Sequence, residues 1–105
     1  MCKGDQLGPN PRTTAIVRAG DLLDRTTYFR NDLTYMEDSA VPKDPHSFLT
    51  RFTSPGITGQ IARGGQTQAA VFLASDGTNI IWPEPQRFFE VPIAPPLPET
   101  LNFIP

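Results

Sequence analysis

A chain of 105 residues suffices for one domain with a single modest core, and a net charge of −2 with a pI near 5.2 leaves no cationic field to attract phosphate backbones. The nine Lys and Arg are spread from Lys3 to Arg87 without a run, so nucleic acid is set aside as a partner. No stretch approaches the ~20 apolar residues of a membrane span, Met1 to Pro11 has no apolar signal core, and the single cysteine forms no internal disulfide. The expectation is a soluble protein, intracellular at synthesis, free or built into a virion or larger complex.

In chain order, residues 1–12 carry Gly4, Gly8, Pro9 and Pro11 and read as an N-terminal arm. Thr13 to Arg18 is β-rich and stops at Ala19-Gly20-Asp21, which predicts a first strand. Residues 21–38 admit two readings. As a helix capped by Asp21 they put Leu22, Phe29, Leu33 and Met36 on one face; as strands, Thr26 to Arg30 and Leu33 to Glu37 flank an Asn31-Asp32 turn. The density of Thr, Tyr and Phe favours the hairpin, with helix kept for Asp21 to Arg25. Val41 to Ser47, with Pro42 and Pro45, is a loop.

From Phe48 the punctuation becomes regular. Phe48 to Phe52 runs into Ser54-Pro55-Gly56-Ile57, a type II turn pattern; Ile57 to Arg63 follows, and Gly64-Gly65 reads as a reversal. Gln66 to Ser75 then meets Asp76-Gly77, the strongest hairpin signal in the chain, and Thr78 to Trp82 returns. A two-residue loop there pairs Leu73 with Ile80 and Val71 with Trp82 on one face, and Phe72 with Ile81 on the other. Arg87 to Val91 is a last strand. Seven of the twelve prolines fall between Pro83 and Pro105, so the chain ends in an apolar, extended arm over residues 94–105. The fold expected is mainly β, with α+β as the variant: an antiparallel meander over residues 13–93 closing into a small barrel or sandwich between two arms.

Candidate chemistry is sparse. Asp44, His46 and Ser47 lie too close in sequence to form a triad, whose members converge from distant parts of a fold. The only histidine and the only cysteine leave metal binding to carboxylates without ligand spacing, so no metal and no cofactor is expected. Cys2 would become terminal if Met1 were removed, but it sits in a loose arm with nothing to fix the thiol. Gly64-Gly65-Gln66 matches the water-positioning tripeptide of ribosomal release factors, yet the chain lacks their basic body.

The arms therefore carry the functional expectation: a non-enzymatic protein working by association with protein, as an oligomer subunit, an accessory of a virion or complex, or an inhibitor. The contact residues expected are Trp82, Phe88, Phe89, Val91, Ile93, Leu97, Leu101, Phe103 and Ile104. The alternative is a small ligand-binding or enzymatic domain whose cavity is lined by Tyr28, Tyr35 and His46, with Asp32, Glu37 or Asp44 as general base.

Overall fold

Thr13 to Arg18 is helical, in a computed structural model that describes all of residues 1–105. Helix α1 covers Asn10–Ala19 and has Pro11 in its first turn, where a missing N–H breaks no intrahelical bond. The β-branched residues that suggest a strand are accommodated by back-bonding. The Thr13 and Thr14 hydroxyls donate to the Asn10 carbonyl at 3.1 and 2.9 Å. The helix closes on Asp21, whose φ of 51° is left-handed. The Leu22 amide then bonds back to Val17 at 2.9 Å and the Asp21 amide to Arg18 at 3.2 Å, the paired bonds of a Schellman cap.

The expected hairpin at Asn31-Asp32 is also replaced. Strand β1 is only Tyr28–Phe29, and α2, Asn31–Glu37, follows after one residue. Asn31 decides this locally: buried, it donates its amide to the Pro42 and Lys43 carbonyls at 3.1 and 3.0 Å, tying the helix start to the following loop. Thr34, buried one turn on, donates to the Asn31 carbonyl at 2.8 Å.

Helix α3, Gly56–Ala74, replaces two expected strands and the Gly64-Gly65 reversal. Gly59, Gly64 and Gly65 lie inside it and are buried. Neighbouring chain packs directly on their backbone: an added β-carbon would lie 2.0 Å from the Ser54 carbonyl oxygen at Gly59 and 2.6 Å from Leu49 at Gly65. Close approach thus offsets their poor helix propensity of about 1 kcal/mol each. Asp76-Gly77 ends this helix and opens no hairpin. Asp76 has φ 55°, the Gly77 amide bonds to Phe72 at 2.8 Å and the Asp76 amide to Leu73 at 3.1 Å, a second Schellman cap. None of the expected cross-strand pairs forms, since Val71, Phe72 and Leu73 are helical and residues 78–82 are in no strand.

The only ladder joins β1 to β2, Phe89–Glu90, antiparallel, with Phe29 opposite Phe89 and Tyr28 opposite Glu90. Cys2 adds a parallel bridge to the free side of Phe29, so the N-terminal segment acts as a third, one-residue strand. Two short strands cannot close, and the mainly β barrel or sandwich is overturned. The protein is mainly α or α+β, three helices around a minimal sheet.

The core lies where the first half of α3 crosses that sheet. Phe29, Ile61, Phe88 and Phe89 are buried together, with Cys2, Leu33, Phe48, Ile57 and Val91 packed around them. The Phe29 ring meets Phe48 and Phe89 at centroid distances of 4.7 and 5.5 Å, both tilted.

Candidate functional site

The fully buried positions of α3 all lie in its first half. The buried positions are Gly59, Ile61, Ala62, Gly64 and Gly65, and none lies beyond Gly65. At 1.5 Å per residue the nine residues Gln66 to Ala74 carry the helix about 13 Å past the core. That extension reads Gln-Thr-Gln-Ala-Ala-Val-Phe-Leu-Ala, with no charge. Leu73 is 75% exposed, and Ala69, Ala70, Phe72 and Ala74 are exposed with it. An uncharged apolar helix end standing in water is unusual for a domain this small.

Residues 78–85 return alongside it. Gln68, half-buried on α3, joins the two: its amide donates to the Ile81 carbonyl at 2.8 Å and to the Thr27 hydroxyl at 2.7 Å. A cleft of about 440 Å³ opens between α3 and the returning segment, lined by Gln60, Arg63, Thr67, Ile81, Trp82 and Pro85, among others. Trp82 forms its apolar rim. Its indole N–H is shared by the Gln86 and Phe89 carbonyls, each at 3.1 Å, which orients the ring while leaving the side chain 48% exposed. Trp82 is thus an oriented, half-exposed aromatic beside the middle of α3, where the helix residues of the cleft are Gln60, Arg63, Gly64 and Thr67.

The residues expected to make contacts divide. Phe88, Phe89 and Ile93 are buried in the chain's own core; Val91, Leu97 and Ile104 are half-buried; Trp82, Leu101 and Phe103 are exposed. The arm that carries the last of them lies on its own domain. The Ile93 amide bonds to Thr26 at 2.8 Å, Asn10 donates its side-chain amide to the Thr100 carbonyl at 2.9 Å, Arg18 pairs with Glu99, and Lys43 donates to the Pro105 carbonyl.

Tyr28, Tyr35 and His46, the residues of the alternative cavity, each meet a different partner. Tyr28 is buried; burial pushes its hydroxyl up to about 12, and its neighbour is the Asn10 amide at 3.4 Å. Tyr35 lies under the Lys43 ammonium, 5.9 Å from the ring centre, and His46 Nδ1 lies 3.2 Å from an Asp5 carboxylate oxygen. The candidate bases are occupied. Burial raises the Asp32 pKa, but hydrogen bonds from Arg30 and Lys3 outweigh it and hold it at about 2, far below a base working near neutrality. Glu37 pairs with Arg87, and Asp44 accepts the backbone amides of Gln6 and His46.

Burial pushes the Cys2 thiol up to about 11, and the terminal ammonium donates to the Thr27 carbonyl at 2.9 Å. Gln66 of the Gly-Gly-Gln run caps the Leu49 carbonyl at 2.8 Å. No group of three or more His, Cys, Asp or Glu side chains is placed to hold a metal ion, and no helix is long and apolar enough to cross a membrane.

The exposed residues of α3 were hidden from a strand-based reading. One signal could have found them: Gln66 to Ala74 is a charge-free run with three Ala, two Gln and one Leu, all strong helix formers. No family model matches the chain, and neither the curated proteins nor the solved structures contain a significant match to it.

Proposed function

We propose that this protein works by non-enzymatic association with another protein chain, through the second half of α3 and the neighbouring Trp82. The observation that carries this reading is the exposure of Leu73 at the end of an uncharged helix extension whose neighbours, Ala70, Phe72 and Ala74, are also open to water. Isolated exposed leucines are ordinary; a contiguous apolar helix end needs a covering surface. The C-terminal arm contributes mainly by closing its own domain, with Leu101 and Phe103 as its exposed remainder.

Site-specific photo-crosslinking in the native host tests this. A benzophenone amino acid at position 73 should yield protein adducts whose cross-linked peptide maps to the end of α3. The same probe at position 12, exposed on α1, should yield none. Equal yields at the two positions would remove α3 as the contact surface.

A further inference from the structure

We infer that the face of α1 under the C-terminal arm is a recognition site for an extended segment of another protein, one in which an acidic residue directly precedes the residue whose carbonyl is gripped, and that the chain's own arm fills the site in its absence. The inference draws on none of the α3 contacts and stands apart from the reading above.

The arm is held as a bound peptide is held. No backbone group of residues 94–105 bonds to another backbone group, so no ladder or turn ties it into the fold. Side chains of the body reach out to it instead. Asn10, Thr14 and Arg18 are spaced four residues apart and form one stripe along α1. From that stripe Asn10 donates to the Thr100 carbonyl at 2.9 Å, Arg18 pairs with the Glu99 carboxylate, and the Thr14 hydroxyl lies 3.4 Å from the second Glu99 oxygen. Lys43, outside the helix, donates to the Pro105 carbonyl. The carbonyls taken by Asn10 and Lys43 are groups that any extended sequence offers. Glu99 alone is read by its side chain, and it sets the acidic requirement.

The chain's own arm fills this site incompletely. Asn10 is fully buried, yet its Oδ1 has no donor, although a side-chain amide can take the N–H and the C=O of an extended peptide together. The Arg18–Glu99 pair leaves 52% of each side chain exposed, so water and salt compete for it. A buried acceptor left unpaired and an exposed ion pair mark an occupant that gives way to a segment of better register.

Two peptides and two variants of the full chain test this by fluorescence anisotropy. The probe is a labelled peptide of residues 94–105, with a second version that carries arginine in place of Glu99. Glu99→Arg sets the chain's own arm against Arg18 and opens the site, so this variant should bind the native peptide at least tenfold more tightly than the arginine version. Arg18→Glu repels its own arm in the same way and should reverse the preference. The unsubstituted chain supplies a measurement free of altered stability. Millimolar native peptide should move the backbone amide NMR signals of its residues 99–104 to disordered positions, because the tethered arm competes at an effective concentration on the order of millimolar. Arm signals that the peptide leaves unmoved would overturn the site, as would variants that bind both peptides equally or neither.

Discussion

Gly64, in the middle of α3, faces the Glu84 carbonyl so closely that a β-carbon added to it would lie 1.9 Å from the oxygen. That contact holds the returning segment on the helix and sets the wall of the cleft beside Trp82.

Gly64→Ala should therefore destabilise the fold although alanine is the better helix former. Propensity favours the change by about 1 kcal/mol, while forcing backbone apart in a packed site costs about 1–3 kcal/mol. Because the atom met is a main-chain oxygen with no rotamer to escape into, the net loss should be about 2 kcal/mol, a drop in Tm on the order of 10 °C. A Tm at or above that of the wild type in a thermal melt would mean that residues 83–85 yield freely.

Asp21→Gly should stabilise the protein. Its φ of 51° costs a side-chain-bearing residue more than glycine, which gains roughly 0.5 kcal/mol at such a helix terminus. Asp21→Val should lose about 1 kcal/mol at the same position, since a β-branched residue tolerates left-handed backbone least. Urea midpoints at pH 7 order the three chains.

Acid should weaken the fold in a window that Asp32 marks. Burial opposes its ionisation, but Arg30 and Lys3 win and lower its pKa from 3.8 to about 2. A carboxylate depressed in the folded state contributes stability that is fully present above its unfolded value, near pH 4, and lost as pH falls through about 2. Asp5, lowered by the Gly8 and Leu7 amides and by His46 against the effect of its burial, adds in the same direction. Asp32→Asn should lower the urea midpoint at pH 7 and flatten its decline between pH 4 and 2. A decline as steep as that of the wild type would assign the acid sensitivity elsewhere.

Removal of residues 95–105 should cost roughly 1–2 kcal/mol, independent of protein concentration. The arm supplies the Thr100 carbonyl to Asn10 and the Glu99 carboxylate to Arg18 within one chain. Thermal melts over a hundredfold range of concentration check it. A loss that appears only on dilution would give the arm to a neighbouring molecule.

The two short strands were legible. Thr26 to Arg30 contains β1 and Arg87 to Val91 contains β2, because Tyr28, Phe29 and Phe89 are β-favouring residues bounded by turns and prolines. The helices were not. Thr13 to Arg18 looked like a strand because its threonines disfavour helix until they bond back to the Asn10 carbonyl. Leu33 to Glu37 looked like one until Asn31 was captured by the Pro42 and Lys43 carbonyls.

The candidate surface depended on the same ambiguity. Asp76 and Gly77 both have positive φ, which a type I′ hairpin needs at both positions and a Schellman cap at one. Local chemistry at Asp76-Gly77 therefore could not choose between a paired strand, which would bury Leu73, and a helix end, which exposes it.

The sequence by itself determined that one cysteine forms no internal disulfide, that the proline-rich residues 94–105 form no helix, and that the uncharged run ends at Asp76. Proline, composition and cysteine count act through covalent structure, so they need no partner to be read. Only the tertiary structure decided that Gly59, Gly64 and Gly65 are contact points rather than turns, that Phe88, Phe89 and Ile93 belong to the core, and that Leu73 faces water. Each of those follows from what a distant segment brings against the residue: the Glu84 carbonyl against Gly64, the sheet against Ile61, and too little over Leu73 to bury it.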